Sequence, residues 1–412
     1  MKVLLILVGF LTGMSSFAQP HKEDYLPIQS TDPAEPLDDI FFLSDYLHAV
    51  KLVGMGESTH GTHEFFKMRS KVFQFLVRHH GFNTFFLEAD YASCLDIDRY
   101  IKGGMGNAEQ VVSKIDLWPW ETQEMVTLME WMRDYTVENP DTELSFIGCD
   151  LQKYDATVHK IDSLITIYAP ESAPLSSKYK NTDQLQPKIV LEQSSAALNT
   201  GDFSSRDKLV YETLFRHLGQ IIYENSGASF FSFRDIQMAE NILYHFDQQP
   251  STKGFFWAHN LHVFTIFNEH KKKEKAYKRA GGVLSRELGN KYFVIAQEFD
   301  EGAFSAYRIK ADNLDADDKN NYQLGPVVVE PSVSGSFGYH YRNTKDAILF
   351  IKPEALKKKQ VKYLKMHDIG ATFLASAKNP NQAARFSSCN GCFDAMILIK
   401  KTTATTLLAS GD

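Results

Sequence analysis

"KLVGMGESTHGTHEFFKMRSKVFQFLVRHHGFNTFFLEAD", residues 51–90, is the stretch whose pattern decides the fold. An apolar run from Leu52 to Met55 gives way to glycines and hydroxyl residues. Apolar side chains then recur at Phe65, Met68, Val72, Phe75 and Leu76, and a β-favouring run, "TFFLEAD", closes the unit. Steps of three and four residues mark the buried face of an α-helix, and Gly81 is a natural stop because glycine accepts the left-handed conformation that ends helices. The unit reads strand, glycine-rich turn, helix, strand. Gly54 and Gly56 are expected to let the backbone leave the first strand through positive φ. Ser58 and Thr59 are the expected N-caps, with the helix starting near His60 or Gly61. In that register His60 and Glu64 share a face, and free N–H groups at the helix start offer an anion site.

The same kind of apolar run recurs as "LSFIGCD", "GFFWAHN", "YFVIAQEF", "AILFI" and "DAMILIK", with helical stretches between several of them. Short continuous runs of this kind are buried strands of a largely parallel sheet. The expected fold is therefore α/β, a largely parallel central sheet flanked by helices, with a helical insertion bordering the active-site cleft. The polar segment from Ser172 to Asp202 is the candidate linker within an insertion at about 160–250, and Ser204 to Phe246 reads as helix. We expect residues 19–412 to form one domain.

The first residues, "MKVLLILVGFLTGMSSFAQP", carry Lys2, an apolar core and a small-x-small end at Ser16-Phe17-Ala18. That pattern is a cleavable signal peptide over residues 1–18, too short to span a bilayer, which needs roughly 20 apolar residues. The protein is accordingly expected in the periplasm or outside the cell. The formal net charge is −7, and removing the single positive charge of Lys2 leaves −8. A mildly acidic chain is a poor partner for nucleic acid or an anionic membrane surface. The basic run "KKKEKAYKR", Lys271 to Arg279, reads as a solvated helix end or loop. Of four cysteines only Cys389 and Cys392 are close in sequence; in an oxidising compartment they can bridge, and a lone C-x-x-C is weak evidence for zinc.

Ligands of open α/β sheets bind beyond the carboxyl ends of the strands. Glu57, Glu88, Asp150 and His259 all stand at such ends. His60 is the candidate general base, because its ordinary pKa lies near neutrality and a carboxylate, Glu57 or Glu88, can orient its ring. "GESTH" lacks the final glycine of a G-x-S-x-G elbow, which argues against Ser58 as nucleophile. His63 reads as a supporting residue. Arg234, on the helix "SFRDIQMAENILYHF", is either an anion or carbonyl ligand or half of a buried Arg–Glu pair. His259 and His262, spaced His-x-x-His, together with His60 and a glutamate leave a divalent-metal hydrolase open as an alternative.

Together these residues resemble the erythromycin esterase family of hydrolases. The resemblance rests on "GESTHGTHEFFKMRSKVFQFLV", "GFNTFFLEAD", "WPWETQEMVTLMEWMRDY", "FIGCDLQ", "FRDIQMAENI", "WAHNLHV" and "CFDAMILIKKTTAT", in family order from Leu47 to Thr406. It implies hydrolysis of a carboxylic ester, in the named members a macrolide lactone, by water activated without a metal or other cofactor. It further implies that His60 is the base and that Glu57, Glu88, Arg69 and His259 complete the polar floor of a deep cleft. Positive groups from Arg69, a protonated His259 or the helix N–H groups are the expected oxyanion stabilisers. His262, Arg234, Asp150, Trp120 and Glu64 are the expected substrate contacts, and the partner is a small-molecule ester. Near "EPSVSGSFGYHYRN" the sequence departs from the family, with Phe337, Gly338 and Tyr339 in place of a small-residue turn and a glutamate. A non-catalytic binding protein of the same fold, related to the envelope or its polysaccharides, is the third reading.

Overall fold

The computed structural model describes residues 20–171, 192–224 apart from 193, 198 and 200, 230–265, 279–309, and 322–409 apart from 377, 380, 384 and 389. The expected signal peptide, most of the expected linker at 172–202, Lys271 to Lys278 and Cys389 lie outside the described residues; Cys392 is disulfide-bonded.

Twelve strands are described: β1 (Tyr25–Ile28), β2 (Leu52–Met55), β3 (Thr84–Asp90), β4 (Ser145–Asp150), β5 (Gly254–Trp257), β6 (Tyr292–Ile309), β7 (Tyr322–Val329), β8 (Ile348–Ile351), β9 (Lys365–His367), β10 (Thr372–Phe373), β11 (Phe386–Ser388) and β12 (Ala395–Thr402). The main sheet runs β1-β8-β12-β6-β2-β5-β3-β4, with β7 and β10 also paired to β6, while β9 and β11 form a small sheet of their own. From β12 to β4 every neighbour is parallel; β8, β1 and β7 are antiparallel additions. Every apolar run singled out in the sequence is a strand. β1, β7 and the second half of β6 are strands that those runs did not announce.

The central strands are apolar without alternation because both faces are covered. Phe85, Leu87, Phe255 and Trp257 belong to the core on one face, and Phe86 and Phe256 belong to the core on the other. The first face is covered by α1 (His63–His80) and the helix Gln123–Glu138; the second is covered by the helix Phe230–Gln248, which brings Met238 and Ile242, and by the helix Ala280–Leu288. Among the described residues no helix is long and apolar enough to cross a membrane.

α1 buries Phe65, Met68, Val72, Phe75 and Leu76 and ends at Gly81, whose φ of 68° lets its N–H reach the Leu76 carbonyl. Its start differs from expectation. Thr62 is the N-cap residue and His63 the first helical one, so His60 precedes the helix and shares no helical face with Glu64. The cause is tertiary: the His63 N–H donates to the Thr403 carbonyl at 3.0 Å, and Thr62 bridges to Ala404, so the segment after β12 occupies the helix start. Gly54 and Gly56 also differ, since neither has positive φ. Glycine is required at 56 by close approach: a Cβ there meets Asn260 Oδ1 at 2.3 Å and Asn260 Cα at 2.8 Å.

Candidate active site

Parallel register brings distant residues to one level. Met55 lies opposite Trp257 and Ile295, and Trp257 lies opposite Leu87. Gly148 lies opposite Leu87, and the residues one or two positions beyond this level, Glu57, Glu88, His259 and Asp150, therefore gather at the carboxyl edge of the sheet. The chain ends of β2 and β5 are tied there, with the Asn260 N–H donating to the Glu57 carbonyl at 2.8 Å.

His60 stands at the centre of a linear arrangement. Its Nδ1–H donates to Glu57 Oε1 at 2.6 Å, and Glu57 Oε2 accepts from Arg69 Nη1 at 2.6 Å. Glu57 and Arg69 are completely buried, whereas the His60 side chain keeps 12 % exposure. Arg69 also lies 4.3 Å from the Trp257 ring centroid, and its Nη2 has no hydrogen-bond partner among the described residues. Burial lowers its pKa to about 10, which still leaves it cationic at neutral pH. With Nδ1 committed as donor, Nε2 of His60 is the basic nitrogen. It faces Gly370, where an added Cβ would stand 3.8 Å from the Nε2 atoms of both His60 and His259. The His60 backbone N–H donates to the Gly370 carbonyl at 3.2 Å.

A second cluster lies beside it. Glu88 Oε1 accepts from Arg234 Nη2 at 2.7 Å and from His262 Nε2 at 3.1 Å, while Oε2 accepts from the His259 backbone N–H at 2.9 Å. Asp150 accepts from Arg234 Nε at 2.7 Å and Nη2 at 2.5 Å. His262 Nδ1 donates to Asp235 Oδ1 at 2.7 Å, and Arg279 donates to Asp235 Oδ2 at 2.8 Å. Burial opposes the charge on His262, but Asp235 and Glu88 outweigh it and raise the pKa to about 10. Burial also opposes the charge on Glu88, and there His262 and Arg234 hold the carboxylate well below its usual range. His259 behaves in the opposite way: burial, reinforced by His60 and His262, lowers its pKa well below the ordinary value. Its Nδ1 accepts from the Leu261 N–H at 3.3 Å, which leaves Nε2–H to donate to the Ser58 carbonyl at 3.4 Å.

These groups border a cavity of about 300 Å³ lined by His60, Glu88, Trp120, Arg234, His259 and His262 on one side and by residues 368–371 on the other. The Trp120 indole donates to the Glu88 carbonyl at 3.0 Å and meets the His60 ring edge to face. Of the expected residues, Glu57, Arg69 and Asp150 do not line the cavity; Glu57 and Arg69 stand behind His60, and Asp150 stands behind Arg234. Glu64 is turned away, its carboxylate accepting from the Thr403 N–H at 2.8 Å and hydroxyl at 2.7 Å. Arg69 therefore cannot touch an oxyanion, the helix N–H group of His63 is already taken, and His259 is neutral. Ser58 is completely buried and does not line the cavity. Both ring nitrogens of His262 are engaged by carboxylates, and among the described residues no three His, Cys, Asp or Glu side chains are grouped to hold an ion.

Residues that sequence reasoning left without a role are Asp235, Gln152, Asp368 and Gly370. Asp235 stands beside Arg234 in "FRDIQ", and "HDIG" follows a short strand, so position at a strand or helix end was the available signal. Nothing in either motif specifies which distant residue it meets; Asp235 finds its partners 27 and 44 residues further on.

An α/β architecture with an imidazole and carboxylate at the carboxyl edge of its sheet defines a hydrolase-like site. Comparison with known proteins narrows the class. The erythromycin esterase family model matches residues 77–402, and the chain belongs to that family. It is 23 % identical to erythromycin esterase type II of Escherichia coli over 59 % of this chain and 67 % of that one. It is also 23 % identical to the putative hydrolase YbfO of Bacillus subtilis over 63 % of this chain and 68 % of that one. Family and relatives together support a hydrolase. Among solved structures, a succinoglycan biosynthesis protein superposes with a TM-score of 0.74 at 20 % identity, covering 94 % of this chain and 96 % of that one. A mutant of the erythromycin esterase EreC in its open conformation gives 0.62 at 15 %, covering 92 % and 98 %. These likenesses establish the α/β fold.

Proposed function

We propose that this hydrolase cleaves a carboxylic ester, with a macrolide lactone as the leading candidate, using water activated by His60 and no metal. One observation carries the reading: His60 donates Nδ1–H to a buried carboxylate at 2.6 Å and leaves Nε2 beside a cavity large enough for part of a substrate. Nε2 takes a proton from water as the oxygen attacks the carbonyl carbon, a contribution of about 10²- to 10⁴-fold in rate. Glu57 stabilises the imidazolium that forms, and its ion pair with Arg69 holds Glu57 in place. The tetrahedral oxyanion is met by Arg234, whose Nη1 has no protein hydrogen bond among the described residues. As the intermediate collapses, the imidazolium returns the proton to the leaving alkoxide. The products are one acid and one alcohol, or a single hydroxy acid from a lactone.

The export-signal pattern of residues 1–18 supports a reaction in the periplasm or outside the cell. Mass spectrometry of erythromycin and simple esters after incubation tests the reading. The expected result is the gain of one water with wild type, undiminished by EDTA, and its loss in a folded His60→Ala protein. Near-native turnover by that variant would remove His60 from the mechanism.

A further inference from the structure

Asp368 and Arg385 line the cavity yet take no part in the chemistry above. Arg385 is exposed, whereas Asp368 is half-buried on a fixed backbone. It follows His367, whose N–H and ring Nδ1 both donate to the buried Glu298 carboxylate, at 2.6 and 2.7 Å. The His367 ring stacks on Phe299 with centroids 4.2 Å apart. The Asp368 N–H donates to the Arg385 carbonyl at 3.3 Å, and the next two N–H groups donate to the Ser58 carbonyl at 3.1 and 3.2 Å.

The Asp368 carboxylate makes no hydrogen bond or ion pair with any described residue; Arg385 and Arg279 act on it only through space, and burial raises its pKa above the ordinary value. Its neighbours differ, since Glu57, Glu88, Asp150 and Asp235 are all paired. With no protein donor among the described residues, the Asp368 carboxylate relies on solvent, and a ligand that supplies a donor replaces that water with a hydrogen bond to a charged group. Gly370, which abuts His60 Nε2, lies two residues on, within about 7 Å along the chain. A substrate with its carbonyl at His60 therefore extends along this wall.

We propose that Asp368 determines specificity by accepting a hydrogen bond from a hydroxyl or protonated amine on the alcohol part of the ester. This rests on the ester-hydrolase reading of the same cavity. The probes are 3-methylbutyl butyrate, which has no donor, 4-hydroxybutyl butyrate and 2-(dimethylamino)ethyl butyrate at pH 7. Wild type is expected to favour at least one donor ester over the 3-methylbutyl ester by about ten-fold in kcat/KM, the size of one hydrogen bond to a charged group. In Asp368→Ala that ratio falls to about one. Asp368→Asn distinguishes the sources, because a preference for the hydroxyl survives the amide and a preference for the ammonium does not. Affinity for the same esters is measured by calorimetry on His60→Ala protein. A ten-fold affinity preference there, lost in the His60→Ala/Asp368→Ala double variant, supports the proposal even if wild type turns over none of them, a result that counts against hydrolysis alone. Equal affinity for all three esters overturns it whatever the turnover.

Discussion

His60 and His262 border the same cavity and differ in what their partners leave free. His60 has one carboxylate on Nδ1, so its other nitrogen remains a base facing the cavity. His262 has a carboxylate on each nitrogen and is held as an imidazolium, with Asp235 and Glu88 raising its pKa to about 10 against the effect of burial. The number of acceptors around an imidazole thus decides whether it moves a proton or serves as a fixed charge. His262 neutralises part of Glu88, which allows Glu88 to hold Arg234 and the His259 backbone in place.

The largest effect is expected at the His60 side of this comparison. Glu57→Gln leaves the completely buried Arg69 without its paired carboxylate, a loss of about 3–5 kcal/mol in chemical denaturation, and it removes the group that orients His60. Adding Arg69→Met is expected to recover much of that stability while turnover stays low. If activity returned along with stability, Glu57 would be reduced to an ion-pair partner.

The His262 side predicts a pH dependence. Its folded pKa lies above the unfolded value of about 6.5, so its stabilisation is fully present below that pH and is lost as pH rises through about 10. Asp235→Asn should cost about 3 kcal/mol near neutral pH, because one acceptor of a buried cation is gone. The difference in Tm between wild type and variant should then shrink as the pH is raised through about 10. A difference that stays constant across that range shows that His262 is not the group responsible.

The smallest effect belongs to a residue outside both environments. Glu64→Ala removes two exposed hydrogen bonds to Thr403 and is expected to cost less than about 1 kcal/mol. Its kcat/KM should match wild type, and a loss of ten-fold or more would return Glu64 to the site.

The strands from β2 to β6 were legible because each is apolar on both faces and therefore continuous in sequence. β1 and β7 were not, since an edge strand or an antiparallel hairpin arm is too short or too polar for that signal: "YLPI" alternates weakly, and β7 contains Gly325 and Pro326. At the site, His60 with Glu57 was legible because the pair is local, three residues apart. Asp150 was placed by its position at a strand end and Arg69 only by the family resemblance, and neither signal shows that they pair behind Arg234 and Glu57 instead of lining the cavity. Glu64 was misplaced because the helix start depended on Thr403 and Ala404, far along the chain.

By itself the sequence determined the strand-turn-helix-strand unit, the parallel sheet and the carboxyl-edge position of the glutamates and histidines. These follow from periodicity and local spacing, which a chain carries wherever it folds. Only the tertiary structure decided which histidine keeps a free nitrogen, which carboxylate remains unpaired and which arginine reaches the cavity. Those outcomes depend on contacts between residues tens to hundreds of positions apart, and burial makes each contact strong enough to set a charge state.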